Sequence, residues 1–396
     1  MTIKLNGPIN VVRMEGHINN IKKVIYIFMD EHIDIDQQTD CNDPHDSIDI
    51  NIFFRNSFEN LKYTKKTYDF FLETFPHGLA YDLNESLYST RTSEEIYIEK
   101  LWKFFYESVH FDKKNNTLTS LFSNVRLHYI DIRNVLYSFI VDPLLFAIHQ
   151  LSEIHNLTHD IVNTSLETVI NFLKKLQIML STNNFHSSKQ QIITKLDSHI
   201  IDFLLNANIR QKYFDQFSYL LNKLVNGYNH INVKKKLVNI YVKKFIFTKL
   251  EDYIYDLDLL YDKVKNLTGK DYENNDFVKE LKNDLNHFHQ ALFAYAARFV
   301  DLYFLRRFLD KDYVTNAIIY TGAAHSVSYI YILNSFNFEI THCAYSAFEN
   351  IDHLNKAVSN IKNFPFEDSL FDLIDLFVLL VSKQCSDISD FPDNFQ

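Results

Sequence analysis

The sequence predicts an α/β protein in which a mostly parallel sheet is flanked by helices and carries a large all-helical insertion. Short runs of β-branched and aromatic residues, typical of buried strands, alternate with helical patterns towards both ends of the chain. Between them lies a long stretch whose apolar residues recur every three to four positions. Strands that alternate with helices favour a parallel sheet. The predicted strands include VIYIFM (24–29), YDFFLE (68–73), RLHYIDI (126–132) and AIIYTG (317–322).

Four segments follow from this pattern. Residues 1–143 are expected to form the first half of the α/β core, and residues 310–385 the second half. Residues 144–309 are the predicted helical insertion, because they contain no proline and almost no glycine. Residues 386–396, SDISDFPDNFQ, are expected to be a flexible tail.

The composition narrows the classes of partner. The 396 residues carry a formal net charge of −10 and a pI near 5.9, which disfavours nucleic acid as a partner, since phosphate binding needs a basic face. The lysines of VKKKLVNIYVKKF (233–245) suit the solvated side of an amphipathic helix. The apolar stretch LFDLIDLFVLLV (370–381) is interrupted by Asp372 and Asp375, so no membrane span is expected.

The cysteines indicate the redox environment. Cys41, Cys343 and Cys385 are too few, and odd in number, for a disulfide framework, so three reduced thiols are expected. The first residues, MTIKLNGPINVV, show no apolar signal segment. The sequence therefore predicts an intracellular protein that is not secreted.

Polar residues follow the predicted strands at their carboxyl ends, where α/β sheets collect functional groups. Asp30 and His32 come after VIYIFM. In an extended strand they project to the same side and could form a metal pair or an acid–base pair, the alternative being a hydrogen-bonded surface turn. Glu73 ends YDFFLE, either as a group aimed at the top of the sheet or as a solvated strand terminus.

A third group lies in RLHYIDIR, residues 126–133. Asp131 and Arg133 follow the strand-like part of this run and are candidate catalytic residues. The alternative is a structural salt bridge between the two side chains.

A fourth group lies in IIYTGAAHSVSYI, residues 318–330. Gly322 permits a backbone turn that other residues resist, and the small Ala323 leaves room for a ligand. His325 falls in the first turn of the next helix, where the helix dipole disfavours imidazolium. A neutral imidazole can coordinate a metal or act as a base. The alternative is a histidine packed against a neighbouring tyrosine.

These motifs resemble a known superfamily, which includes the TraB/Tiki, ChaN-like and erythromycin-esterase proteins. Its members carry an acidic residue and a histidine after the first strand, a glutamate after a following strand, and a second histidine after a late glycine. The matching motifs are MDEH (29–32), FFLE (70–73) and GAAH (322–325). Together with Cys41 and HYIDIR (128–133), they more closely resemble an uncharacterised family of large DNA viruses.

The resemblance implies a hydrolase of ester or amide bonds that acts on an unidentified small molecule or peptide. It would use a divalent metal (Mn, Zn or Co) or a histidine as general base. The candidate catalytic residues are Asp30, His32, Glu73, Asp131, Arg133 and His325. The implied metal ligands are His32, Glu73 and His325, with Gly322 and Ala323 beside a bound cofactor. A viral source implies the host cytoplasm or the virion, and the oligomeric state stays open.

Two other functions compete with a hydrolase. The chain has Met29 where the superfamily has glycine, and Asp30 where it has glutamate, which costs backbone room and one methylene of reach. That favours a non-enzymatic virion or host-interaction protein with a degraded site. The ChaN-like relatives suggest instead a metal or haem binder without turnover. Convergence of Asp30, His32, Glu73 and His325 in one pocket would keep the hydrolase and the binder, whereas dispersal would leave the non-enzymatic protein.

Overall fold

The computed structural model of the protein describes residues 4–37, 41, 47–74, 96–112, 117–153, 158–185, 200–268, 270–365, 367–378 and 384–395. The chain divides into two compact units. The first contains Met1–Asp131 and Arg307–Gln396, and the second contains Ile132–Arg306. The first unit therefore draws on both ends of the chain, and the second on its middle.

The first unit contains the strands. In chain order they are β1 (Lys4–Asn6), β2 (Asn10–Ile18), β3 (Ile21–Asp30), β4 (Ser47–Asp49), β5 (Tyr68–Leu72), β6 (Val109–Asp112), β7 (Thr117–Ser120), β8 (Val125–Tyr129), β9 (Asn316–Gly322), β10 (Glu339–Cys343) and β11 (Cys385–Asp387). Among the described residues, six of them form the main sheet in the order β10-β2-β3-β9-β5-β8. Neighbours from β3 to β8 are parallel, whereas β2 is antiparallel to β3 and to β10. A small sheet has the order β11-β1-β4, and β6 pairs with β7.

Helices cover the first unit and form the second. Those of the first unit are α1 (Ile50–Leu61), α2 (Tyr97–Ser108), α11 (Ala323–Ser335), α12 (Ile351–Asn360) and α13 (Glu367–Phe377). Those of the second are α3 (Arg133–Ile140), α4 (Asp142–Glu153), α5 (Thr158–Thr182), α6 (Ile200–Leu205), α7 (Ala207–Asn226), α8 (Ile231–Leu237), α9 (Thr248–Val264) and α10 (Asn275–Asp310), whose last turn enters the first unit. A π-helix, Val238–Phe247, joins α8 to α9. In the described parts of the chain, no helix is long and apolar enough to span a membrane.

The predicted α/β class with a largely parallel sheet is confirmed. β3 is buried along almost its whole length, because parallel strands carry helices on both faces. On one face, Tyr26 and Phe28 join a cluster of aromatic rings that also contains Phe54, Phe70 and Phe395. Phe28 and Phe54 meet edge to face with ring centroids 5.1 Å apart, an arrangement that adds to the free energy of burial. Aromatic side chains therefore fill much of this core.

The prediction of a flexible tail is wrong for the described residues up to position 395. Cys385–Asp387 form β11, which pairs with β1. Phe395 is buried and packs edge to face on Tyr26, with centroids 5.0 Å apart. Ile388, Phe391 and Phe395 thus hold a segment whose other residues are mostly polar.

Helices begin at Arg133, before the proline that marks the predicted boundary. Pro143 is the second residue of α4. In the first turn of a helix the missing N–H of proline would have no intrahelical acceptor, so proline is well tolerated there. Pro143 therefore marks the start of one helix within the helical unit.

The expectation of three reduced thiols is also wrong. Cys41 and Cys385 form a disulfide between Cα atoms 5.6 Å apart. They are 344 positions apart in the sequence, so their spacing gives no sign of the pairing. Cys343 is outside any disulfide, and burial raises the pKa of its thiol to about 12. Its reactive thiolate is therefore scarce at neutral pH.

Candidate functional site

The carboxyl ends of three parallel strands meet at one edge of the main sheet. Asp30, the last residue of β3, lies opposite Gly322, the last residue of β9. Leu72, the last residue of β5, lies opposite Tyr320 of β9. Glu73 extends this ladder, since its backbone N–H donates to the carbonyl of Tyr320 at 3.2 Å. The residues that follow β3, β5 and β9 therefore share one small region.

Asp30 and His32 form a carboxylate–imidazole pair. The strand ends at Asp30, so the expected alternation does not extend to His32. Instead His32 adopts a left-handed backbone with φ 58°, and its Nδ1 lies 2.7 Å from Asp30 Oδ2. A carboxylate accepts, so the shared proton belongs on Nδ1 and Nε2 faces away from Asp30. Asp30 is fully buried, whereas 40% of the His32 side chain is exposed.

The second oxygen of Asp30 is also occupied. The hydroxyl of Tyr320 donates to Asp30 Oδ1 at 3.2 Å. Burial, followed by the charge of Asp30, raises the pKa of Tyr320 well above its ordinary value. Tyr320 therefore stays protonated and remains a donor, which fixes the carboxylate that orients His32.

Glu73 lies between the two histidines. Its Oε2 accepts hydrogen bonds from the Thr321 hydroxyl at 2.6 Å and from the Gly322 backbone N–H at 2.8 Å. Its Oε1 lies 3.2 Å from Nε2 of His325. Nε2 of His32 is 3.8 Å from Oε2, which is too long for a hydrogen bond. Asp30, His32, Glu73 and His325 therefore lie in a row, in which each side chain is within 3.8 Å of the next.

The structure gives a different reason for glycine at position 322 from the predicted one. Its φ is −55°, an ordinary value for any residue, so the expected special turn is wrong. A Cβ at this position would lie 2.8 Å from Nε2 of His32. A side chain at position 322 would therefore displace the imidazole that packs directly over Gly322, and the unusual backbone belongs to His32. Since the N–H of Gly322 already binds Glu73, it is not open to a cofactor.

The charges around His32 set its protonation. Burial lowers the pKa of His32, but the hydrogen bond to Asp30 and the charges of Asp30 and Glu73 outweigh burial and the opposing effect of His325. The pKa of His32 is therefore above that of a free imidazole, about 6.5. Burial, with the charge of Asp30 added, likewise raises the pKa of the neighbouring Glu31. His32 is thus poised to exchange a proton near neutral pH.

His325 is buried. It is the third residue of α11, and residues 325–330 of this helix are all buried. Its ring lies parallel to that of Tyr329, with centroids 6.2 Å apart. Within the first turn of α11, Ala324 is exposed and His325 is buried. The accessible histidine of the pair is His32.

Asp131 and Arg133 lie in different compact units. Asp131 is buried in the first, where its backbone N–H donates to the carbonyl of Thr74 at 3.3 Å. Arg133 begins α3 in the second, and its guanidinium lies over the rings of Tyr137 and Phe293 at 5.6 and 5.7 Å. Their predicted catalytic roles stay predictions.

The two residues that depart from the superfamily pattern do not disrupt the site. Met29 is fully buried in β3, and strand alternation turns it to the face opposite Asp30. Asp30, despite its shorter side chain, reaches His32. Ala323 is the first residue of α11 and is half-buried.

Another buried carboxylate, Asp69, lies near the start of β5. Asp69 accepts from Arg126 at 2.8 and 2.6 Å, one bond to each oxygen, and lies 2.7 Å from Nε2 of His128. Burial raises the pKa of Asp69, but hydrogen bonds from His128 and Arg126 outweigh it and hold the pKa below its ordinary value. Arg126 and His128 belong to the run RLHYIDIR considered above, whereas Asp69 was not predicted to be their partner. The available signal was a charged residue inside the apolar run YDFFLE.

Thr321 and Tyr320 were also missed, although both lie in the stretch that contains His325. Each supplies a hydroxyl to a site carboxylate. Their types are common at strand ends, so only the register of β9 between β3 and β5 reveals the two contacts.

The predicted metal ligands do not fit an ion as they are arranged. Across the described ranges, no group of three or more His, Cys, Asp or Glu side chains could hold a metal. Nδ1 of His32 and Nε2 of His325 both face carboxylate oxygens at hydrogen-bond distance, whereas a metal needs a nitrogen lone pair. The divalent metal therefore stays a prediction.

Comparison with known proteins identifies the family of the chain. Its sequence matches a family of unknown function, DUF5847, over residues 3–275 and 260–396. The chain belongs to this family. Three uncharacterised proteins of Acanthamoeba polyphaga mimivirus are 34%, 33% and 32% identical to this DUF5847 chain. The matches cover 99%, 99% and 100% of the chain and 97%, 97% and 98% of those relatives. No solved structure matches it.

These relatives bear on the predicted resemblances. The prediction of an uncharacterised family of large DNA viruses is confirmed. The more distant resemblance to the TraB/Tiki, ChaN-like and erythromycin-esterase superfamily is not supported by these matches and stays a prediction. The choice between host cytoplasm and virion also stays a prediction.

Proposed function

We propose that this DUF5847 protein is a hydrolase of ester or amide bonds in which His32 is the general base. The observation that carries the proposal is the contact between Asp30 and His32. The buried carboxylate of Asp30 accepts a hydrogen bond from Nδ1 of His32, whose ring is partly exposed and whose Nε2 faces away from Asp30. This is how a catalytic imidazole is oriented in acyl-transfer enzymes. The left-handed backbone of His32 adds support, since such strained conformations cluster at functional sites.

The reaction would proceed by water attack. Nε2 of His32 takes a proton from a water molecule, and the hydroxide formed adds to the carbonyl carbon of the substrate to give a tetrahedral intermediate. The imidazolium then returns the proton to the leaving alcohol or amine as the bond to that group breaks. Asp30 on one side and Glu73 on the other stabilise the imidazolium between these steps. No step requires a metal ion or an oxidant.

The remaining residues act through Glu73 and Asp30 as positioning residues. Thr321 and Gly322 hold one oxygen of Glu73, and His325 contacts the other. Tyr320 holds Asp30. This network keeps two carboxylates at fixed distances from His32, and such preorganisation is a major source of catalytic power.

The test compares two histidines that each contact a buried aspartate. Hydrolysis of p-nitrophenyl esters and of chromogenic peptide amides is measured for the wild type, His32→Gln and His128→Gln. General-base catalysis contributes about 10²- to 10⁴-fold, so His32→Gln should lose that much of kcat, while His128→Gln keeps the wild-type rate. Circular dichroism of each variant controls for folding.

The outcomes separate the competing functions. Equal activity of the wild type and His32→Gln would refute the proposal, and no turnover across the panel would favour a non-enzymatic protein. Calorimetric titration with Mn²⁺, Zn²⁺ and Co²⁺ tests the metal prediction. Binding by the wild type that is lost in His325→Ala would replace the metal-free mechanism with a metal-dependent one.

A further inference from the structure

The stretch 231–264, made of α8, the π-helix and α9, is divided by charge. The exposed charged residues of its first half are all lysines, and those of its second half are carboxylates apart from Lys263, which pairs with Glu280. The exposed charged residues used below are Lys235, Lys243, Lys244, Glu251, Asp252 and Asp256. None of these six forms an ion pair with another residue in the described parts of the chain. The acidic protein thus concentrates basic charge at one end of one long helical segment.

These charges lie on one continuous exposed face. Exposed positions recur every three to four residues from Ile231 to Asp262, although the helix type changes twice on the way. The face also carries large apolar side chains, since Ile231, Tyr255 and Leu259 are 59%, 64% and 54% exposed. Tyr255 and Leu259, four positions apart on α9, therefore form an exposed apolar pair beside unpaired charges, a combination typical of an interaction surface.

The order of the charges makes this face complementary to itself. Lys243 and Lys244 lie as far before the midpoint at Phe247 and Thr248 as Asp252 and Glu251 lie after it. If a second identical helix crosses antiparallel at that midpoint, Lys243 of one copy faces Asp252 of the other, and Lys244 faces Glu251. A two-fold axis repeats both pairs, as in an isologous interface.

We propose that residues 231–264 form a homodimer interface, in which this face binds the same face of a second copy in antiparallel orientation. A nucleic acid or an anionic membrane would meet repulsion from the acidic half, whereas a second copy matches both halves. Tyr255 and Leu259 would pack along the first half of the partner helix, and the charge pairs would fix orientation and register. Charge complementarity of this kind determines which partners associate.

The first test is the oligomeric state of the full chain. Sedimentation velocity and light scattering over a range of protein concentrations should show a monomer–dimer equilibrium. The dimer should weaken as salt is added, because exposed ion pairs are screened. A monomer at every concentration in low salt would overturn the proposal.

The second test exchanges charges between the halves. Lys243→Glu with Lys244→Glu makes the crossing wholly acidic, and Glu251→Lys with Asp252→Lys makes it wholly basic. Each double variant should dimerise about 10- to 100-fold more weakly, since four exposed pairs become repulsive. An equimolar mixture of the two variants should form a heterodimer, because every facing pair is again of opposite sign. Failure of the mixture to associate would refute the antiparallel register.

The matched control places the same charge change elsewhere. Lys65 and Lys66 are exposed in the first unit, and Lys65→Glu with Lys66→Glu alters the net charge as much as the acidic double variant does. This control should dimerise like the wild type. If it weakens the dimer equally, overall charge governs association and the proposed face does not. A wild-type dimer that withstands all these variants would place the interface on another surface.

Discussion

Asp69 and Glu73 are buried carboxylates four positions apart on the same stretch of chain, and their surroundings differ in kind. Asp69 is held by the two-pronged guanidinium of Arg126 and by His128. Glu73 is held by a hydroxyl, a backbone N–H and one buried histidine, with a second, partly exposed histidine nearby. Arginine stays charged at every accessible pH, whereas histidine titrates near neutrality.

The comparison separates a structural carboxylate from a chemically useful one. The guanidinium of Arg126 compensates the negative charge of Asp69 at every accessible pH, so protonation of Asp69 is disfavoured. At Glu73 the compensation depends on whether the neighbouring imidazoles carry a proton. At the start of β5, Asp69 therefore forms a structural ion pair. At the end of β5, the charge balance around Glu73 changes with the protonation of the histidines.

The largest expected difference is in stability. Asp69→Ala leaves Arg126 and His128 without their carboxylate, and removing one partner of a buried pair costs about 3–5 kcal/mol. The half-exposed Arg126 should bring the loss to about 3 kcal/mol, the lower end of that range. Glu73→Gln keeps an acceptor for Thr321 and Gly322 and should cost about 1 kcal/mol.

Urea denaturation followed by circular dichroism measures both variants. Equal losses, or a larger loss for Glu73→Gln, would contradict the distinction between the two carboxylates. Asp69→Asn provides an intermediate control that retains a polar group of the same size.

Gly322→Ala should have a smaller effect on stability and a specific one on His32. The added methyl displaces the imidazole, which is the end of a partly exposed side chain and can turn away at a cost of about 1 kcal/mol, one hydrogen bond. Without Asp30, the raised pKa of His32 should return towards the ordinary value. NMR titration of the histidine ring protons measures this shift, and the exposed Ala324→Ser is the control. An unchanged pKa of His32 would show that Gly322 does not determine its position.

The smallest expected effect is on how the free energy of unfolding depends on pH, where His32 and His128 should contribute with opposite sign. The pKa of His32 is raised in the folded state, so its contribution to stability is present below about pH 6.5 and is lost as pH rises through the folded pKa. Burial, with the charges of Arg307 and Arg126, lowers the pKa of His128 despite Asp69. Its contribution is therefore present above about pH 6.5 and is lost as pH falls through the folded pKa.

The check is the free energy of unfolding across this pH range for the wild type, His32→Gln and His128→Gln. The stability difference from the wild type should shrink with rising pH for His32→Gln and with falling pH for His128→Gln. The same slope for both variants would contradict the assigned shifts.

The strands of the parallel part of the sheet could be predicted from the sequence. β3, β5 and β9 are buried along almost their whole length, and mainly apolar runs predict them. β8 was predicted too, although most of its residues are only half-buried. β2 was missed because Arg13, Glu15 and His17 interrupt its apolar pattern. Those side chains are accommodated by cross-strand partners, as when Arg13 donates to the hydroxyl of Tyr26. β1, β4 and β11 have three residues each, too few to show a period of two.

The site could be predicted as a set of residues but not as an arrangement. Asp30, Glu73 and His325 follow strands that are parallel, and parallel strands bring their carboxyl ends together. The left-handed backbone of His32 places its imidazole over Gly322, and the missing side chain of Gly322 leaves room for it. These two residues are far apart in the sequence, so no local pattern predicts their contact. The pairing of Cys41 with Cys385 depends likewise on the path of the whole chain.

The insertion of β9 between β3 and β5 has a consequence for synthesis of the chain. Tyr320 and Asp30, which touch in the finished sheet, are 290 positions apart along the chain. Until the ribosome has passed β9, both β3 and β5 lack a neighbour and present open edges, which are prone to associate with other chains. The helical second unit is one continuous stretch of chain, Ile132–Arg306, and can form during that interval. A polypeptide released early would keep its helices and lack both the centre of the sheet and one of the two histidines, so the assembled site exists only in a nearly complete chain.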